Sequence, residues 1–229
     1  MKKAPGPPRG VDVLAAPRTK ARKASLHPAF DRGEQFEQRR AAMLQAAIRA
    51  FNRNGYHATS MDTIAAALGL TKGTLYHYYK SKIEILYECM LYVLEEARAL
   101  AEDVERGGGL GVERLERFLR RQFETLAGSQ GAAWPVADMS ALPAPLEAEV
   151  REKSRQVDRI VQKFIADGMR DGSIRATEPK IAEFFLMGAL NWLPRWYSPG
   201  GSLTSDQLAA IFLRIVLDGL RTAPADPKS

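Results

Sequence analysis

Residues 59–82 read TSMDTIAAALGLTKGTLYHYYKSK. Ser60 is placed to cap a helix over 60–68 that carries Ile64, Ala65 and Leu68, and Gly69 ends it. Thr71 is placed to cap a third helix over 72–79. Only Gly69, Leu70 and Thr71 separate the two, which is the spacing of a helix-turn-helix. Gly69 permits the sharp backbone turn. Ala65 is small where the helices would cross, and Leu68, Leu70 and Leu75 supply an apolar core between them. The third helix presents Lys72, Thr74, Tyr76, His77 and Tyr78, side chains able to bond phosphates or base edges. Ser60 and the N-terminus of the third helix offer phosphate donors, and Lys82 adds a cation just beyond. The alternative reading is a solvated polar face for Lys72 and Thr74 and core aromatics for Tyr76, Tyr78 and Tyr79, with Tyr79 assigned to the core.

Working outward, Leu44, Ala47, Ile48 and Phe51 form one apolar stripe, predicting a helix over 35–54 that Asn54-Gly55 stops. Residues 1–33 carry five prolines, scattered basic residues and no apolar period, and are expected to be a basic disordered tail. Downstream, Ser81 and Glu84 have capping-box spacing and open a long fourth helix with Ile85, Leu86, Cys89, Met90, Val93 and Leu94. Gly107 to Gly109 break it. Apolar periods then predict helices around 112–123, 146–169, 179–196 and, after a Thr204–Gln207 capping box, 205–220. Residues 127–142 read as irregular. No stretch alternates with period two. The expected class is all-α with about nine helices, divided into a tail (1–33), a helix-turn-helix domain (34–80) and a larger helical domain (81–229).

The 229 residues carry 33 Lys+Arg and 27 Asp+Glu, a formal charge of +6. Residues 1–30 alone hold seven basic residues and one acid, so the tail accounts for the whole excess. Such a basic end favours a polyanion. One cysteine excludes a disulfide framework and a CxxC site, and the three histidines have no metal-ligand spacing. No apolar run is long enough to cross a membrane and no apolar signal core follows the N-terminus, so the cytoplasm is the expected compartment.

The stretch 59–82 resembles the N-terminal domain of the TetR/AcrR transcriptional repressors, and the similarity extends over about residues 38–86. The resemblance implies an all-helical homodimer whose helix-turn-helix binds a palindromic operator, and whose larger domain binds a small effector and dimerises through its last two helices. Carried over by position, Lys72, Thr74 and His77 would face the major groove and Gly73 would let the backbone approach DNA. Tyr76, Tyr78 and Lys82 would hold phosphates. The family pattern usually has an aromatic residue at His77 and often histidine at Tyr78; here the order is swapped.

A second segment, Leu190 to Thr204, resembles the branch of that family that senses acyl-coenzyme A thioesters of lipid or aromatic-acid catabolism. The resemblance implies effector contacts from Trp192, Arg195 and Trp196. Arg195 is an always-charged fork for phosphate or carboxylate. Phe123, Trp134, Met139 and Phe164 are candidate pocket lining, with plain core packing as the alternative. The alternative is that Trp192, Trp196 and Tyr197 close the end of a dimer interface while Arg195 pairs with an acid. Phe184, Met187, Leu208, Ile211, Phe212 and Ile215 are assigned to a four-helix dimer interface. No cofactor is expected beyond the effector. Two other functions stay open: the same fold sensing an apolar drug or aromatic compound, and a coenzyme A-using enzyme carrying a DNA-binding segment. Against the enzyme stands the lack of any nucleophile-base or metal constellation.

Overall fold

The computed structural model describes the backbone of residues 28–127, 136–197 and 201–220. Within these, side chains are described except at 28–35, 127, 136–138, 194 and 195. The order is α1 (Pro28–Asn54), α2 (Met61–Ala67), α3 (Lys72–Tyr78), α4 (Lys82–Arg106) and α5 (Gly111–Ala127). A 3-10 turn (Val136–Ala141) precedes α6 (Ala144–Arg170), α7 (Pro179–Trp196) and α8 (Ser205–Leu220). The class is all-α, and the described residues contain no strand.

Helix α1 starts at Pro28, seven residues before the expected 35. Proline suits a first helical position because its missing N–H has no partner there in any case. The pattern reading stopped short because Asp31 to Glu34 carries no apolar period and includes Gly33.

The caps form at the expected residues. Ser60 Oγ accepts from Thr63 N at 3.0 Å and Thr71 Oγ1 from Thr74 N at 3.2 Å. Ser81 Oγ accepts from Glu84 N at 3.2 Å, but Glu84 returns its bond to Lys80 N rather than to Ser81 N. The Thr204–Gln207 box is reciprocal, at 3.2 and 3.0 Å. Gly69 turns the chain at φ +64°, the left-handed region where a side chain is strained.

One apolar core runs from Met43, Ile48 and Phe51 of α1, through Leu75 and the inner face of α4, into α5 to α8. Helix α5 packs between α6 and α8, and α6 also meets α4 and α7. The crossing of α5 and α6 is close. A Cβ on Gly111 would lie 2.1 Å from the Gly168 nitrogen and 2.3 Å from its Cα. Two glycines let two backbones meet there. Cys89 is fully buried, donates weakly to Leu44 O, and has its pKa pushed up by burial. That is the small core residue its helical position predicts.

Candidate functional site

The helix-turn-helix is built as its sequence dictates. Ile64, Ala65 and Leu75 are buried, Leu68 and Leu70 pack against them, and the outer face of α3 is left to solvent. On that face Lys72, Thr74, Tyr76 and His77 are exposed and Tyr78 is half-buried. Tyr79 points inward at 4% exposure, and burial pushes its phenol up to about 12. The core assignment of Tyr79 thus agrees with the structure.

Three exposed polar groups are tethered within the chain. Lys72 Nζ donates to Asp62 Oδ2 at 2.8 Å, an exposed pair that raises the lysine pKa. Thr74 Oγ1 lies 2.8 Å from Thr71 Oγ1, and Ser60 Oγ 2.9 Å from Thr63 Oγ1. Lys82 sits differently from the sequence expectation. Its Nζ donates to Tyr56 O at 2.9 Å and lies 4.2 Å from the centroid of the Tyr56 ring. The cation ties α4 to the loop after α1 rather than extending outward. That loop is also held by Thr59, 1% exposed, whose hydroxyl donates to Gly55 O at 2.8 Å.

Gly73 has no partner inside the chain that requires it. It is helical, and an added Cβ would meet nothing nearer than Thr71 Oγ1 at 4.0 Å. A glycine in a helix is costly relative to alanine. The fold therefore has room for a methyl at Gly73 on the exposed face of α3.

The second feature is a cavity of about 920 Å³ walled by α4, α5, α6 and α7. That size suits a small organic ligand. Helix α4 lines it from Tyr92 to Asp103, a rise of roughly 16 Å. Leu94, Ala97, Leu100, Leu126, Val157, Phe184 and Met187 give apolar walls. Its charge is acidic: Glu96, Asp103, Glu124, Asp158 and Glu183 against Arg121, which is itself bonded to Asp103 at 2.9 Å. Glu183 is 1% exposed, and Gln162 Nε2 donates to its Oε2 at 3.2 Å. Burial, with Asp158 nearby, pushes its carboxyl up to about 7. Asp158 is raised as well, chiefly by burial, with Arg159 and Arg155 opposing.

The cavity also touches the reading head. Gln45 of α1 is part of its wall and donates to the Tyr92 hydroxyl of α4 at 3.2 Å. Nearby, Arg40 of α1 pairs with Glu88 of α4. Both links join the first helix of the DNA-reading unit to the helix that lines the cavity.

The expected effector residues are distributed otherwise. Phe123 and Phe164 are buried in the core and do not line the cavity. Phe123 packs on Phe212, and Phe164 on Phe118, with Arg114 over its ring. Trp192 and Trp196 are 62% and 56% exposed on α7, outside the cavity wall. Trp134 and the side chain of Arg195 lie outside the described residues. Of the expected interface residues, Phe184 and Ile215 are exposed, at 53% and 69%. Met187 and Ile211 are half-buried, with Met187 also in the cavity wall. Leu208 and Phe212 are already committed to the chain's own core. Exposed Ile181 and Phe185 extend the outward row on α7.

The sequence reading missed Glu183, Asp158, Gln162, Gln45 and Tyr92. Glu183 left a signal. It stands beside Ala182 and three residues before Leu186, a lone carboxylate on the buried stripe of an otherwise apolar helix. The others have ordinary polar spacing, and only the packing of α1, α4, α6 and α7 brings them together at or beside one cavity.

Among the described residues no group of His, Cys, Asp or Glu is arranged to hold a metal ion, and no helix is long and apolar enough to cross a membrane. The family model for bacterial regulatory proteins of the tetR family matches residues 43–89. That for the tetracyclin repressor-like C-terminal domain matches residues 108–220. The HTH-type transcriptional repressor KstR2 of Rhodococcus jostii is 30% identical over 188 residues, which is 80% of this chain and 91% of that one. The solved structure of the ketosteroid transcriptional regulator KstR2 of Mycobacterium tuberculosis superposes with a TM-score of 0.71 at 26% identity, covering 81% and 96% of the two chains. AibR, solved in complex with isovaleryl coenzyme A and operator DNA, shares the fold with a TM-score of 0.66 at 24% identity, over 76% and 96%. Helix-turn-helix, helical second domain and these matches agree, and the chain belongs to the tetR family of bacterial regulatory proteins.

Proposed function

We propose that the protein is a transcriptional repressor that binds a palindromic operator as a homodimer and is released by a small effector in the α4–α7 cavity. The observation that carries this reading is Gln45. It belongs to the first helix of the DNA-reading unit and also to the wall of the cavity, so a ligand inside touches both. A ligand that binds better when the Gln45–Tyr92 link is open shifts the dimer toward that state and away from DNA. On the outer face of α3, Lys72, Thr74 and His77 read bases, Tyr76 and Tyr78 contact phosphates around Gly73, and Ser60 contacts a phosphate from the N-cap of α2. Lys82 acts mainly through the loop it holds, fixing the entry to α2.

The homodimer forms through α7 and α8. Ile181, Phe184, Phe185, Trp192 and Trp196 on α7 and Ile215 on α8 expose large apolar side chains, more than an isolated surface ordinarily carries. Two such helix pairs make a four-helix interface. The protein works where its DNA is, in the cytoplasm, and the seven basic residues before Pro28 add charge that favours DNA.

For the effector, the reading is an acyl-coenzyme A thioester whose acyl group occupies the cavity. AibR, of the same fold, is captured with isovaleryl coenzyme A. Five carboxylates in the wall repel phosphates, so the nucleotide stays outside. The same acidity favours a second reading, an apolar cationic compound. Melting and DNA-release assays with a thioester panel and a lipophilic-cation panel separate the two. For the DNA face, Lys72→Ala with Thr74→Ala is expected to abolish sequence-specific binding and leave the dimer intact in sedimentation. Retained operator affinity in a gel-shift titration would remove α3 as the reading helix.

A further inference from the structure

The cavity has a chemically distinct end. Glu183 of α7 is buried, held by Gln162 of α6, and faces Asp158, also of α6. The influences on the Glu183 carboxyl are its burial, Asp158 and Gln162; no cation is among them. Arg121, the basic residue of the wall, is engaged with Asp103 on α4. Val157, Met187 and Gly188 of the wall add apolar surface, and Ser154 and Asn191 are its uncharged polar members on α6 and α7. A carboxyl buried without a counter-charge is costly and is retained where it has a partner to bind.

We propose that Glu183, positioned by Gln162 and Asp158, is a specificity determinant that selects an effector whose enclosed apolar part ends in a hydroxyl group and rejects one ending in a carboxylate. The proposal rests on reading the α4–α7 cavity as the effector site. The chemistry is a matter of matching donors to acceptors. Around neutral pH the Glu183 carboxyl is present in both protonation states. A hydroxyl serves both, accepting from the acid and donating to the carboxylate. A ketone serves only the acid. A terminal methyl gives the carboxyl no partner beyond Gln162 in a dry site once the ligand has expelled water, and the lost hydration then costs the ligand affinity. A terminal carboxylate brings a further negative charge against Glu183, whose carboxyl burial and Asp158 already push up.

Two probe sets that differ only at the far end test this by thermal melting. One set is decanoyl-, 10-hydroxydecanoyl- and 9-carboxynonanoyl-coenzyme A. The other, without coenzyme A, is decyl-, 10-hydroxydecyl- and 9-carboxynonyl-trimethylammonium, whose common charged head fixes which end enters the cavity. In a set that binds, the hydroxyl-ended member is expected to bind wild-type protein at least tenfold more tightly than the methyl-ended one. The carboxylate-ended member is expected to give no shift. Glu183→Leu should reverse the hydroxyl-over-methyl order, and Glu183→Gln, which still donates and accepts, should restore it. Hydroxyl preference in the second set with no thioester binding supports the proposal and removes the coenzyme A reading alone. The proposal is overturned by methyl-ended probes binding as well as hydroxyl-ended ones, by an order unchanged in Glu183→Leu in folded protein, or by no member of either set raising the melting temperature.

Discussion

Gly73→Ala separates what the fold needs from what the partner needs, because the two effects have opposite sign. The position is helical, and an added Cβ has its nearest neighbour at 4.0 Å, so the methyl enters open space. Glycine costs a helix interior about 0.8–1 kcal/mol relative to alanine. Gly73 is the second residue of a seven-residue helix, where the gain is smaller, so a stabilisation of about 0.5 kcal/mol is expected. For a chain of this length that raises Tm by about 1–2 °C. Against DNA the same methyl stands between the α3 backbone and the duplex and holds the helix off by some tenths of an ångström. Losing the equivalent of one phosphate hydrogen bond costs about 1–1.5 kcal/mol, roughly tenfold in Kd. The assay is differential scanning calorimetry on both proteins beside fluorescence anisotropy on a DNA fragment selected by the wild-type protein. A lower Tm would mean the space beside Gly73 is not open. An affinity within twofold of wild type would mean the DNA does not approach the α3 backbone there, and the placement of the reading face would be wrong.

Other perturbations address the second domain and the tail. The folded Glu183 carboxyl sits near 7, above its unfolded value near 4.5, so the stability it contributes is complete below pH 4.5 and is lost as pH rises toward 7. Glu183→Gln escapes that loss, and its stability relative to wild type should improve by on the order of 2 kcal/mol between pH 5 and pH 8; an equal gap at both values in denaturant titrations would show an ordinary carboxylate. Gly111→Ala forces a Cβ onto the Gly168 backbone and should destabilise by about 3 kcal/mol, the upper end for overpacking, because backbone cannot rotate away. An unchanged melting curve would refute the close crossing of α5 and α6. Deleting residues 1–30 removes seven basic residues and one acid and should weaken DNA binding and flatten its dependence on salt, with operator preference unchanged; an identical log Kd against log salt slope would make the tail irrelevant to DNA.

Much of the first domain was legible in residues 59–82, because a helix-turn-helix is a local structure. Its caps, its turn glycine and its small core lie within about 25 residues, and each residue acts on near neighbours. The helical class and most boundaries followed for the same reason, from apolar periods and caps. The start of α1 was missed because its first turn has no buried stripe to mark it.

Tertiary packing decided the rest. Apolar residues on α5 to α8 look alike in sequence whether they face the core, a cavity or another copy. Thus Phe123 and Phe164, candidate cavity lining by type, are core, and Leu208 and Phe212, candidate interface by type, pack within the chain. Phe184 and Ile215 remain outside, and only the placement of α7 and α8 distinguishes them. The cavity itself belongs to no segment. Glu183, Asp158 and Gln162 come together because α6 and α7 pack side by side, and Gln45 reaches the cavity because side-chain bonds hold α1 to α4. The sequence by itself determined the reading head, whose contacts are short-range. The chemistry of the cavity depends on distances between helices far apart in the chain, which only the folded structure sets.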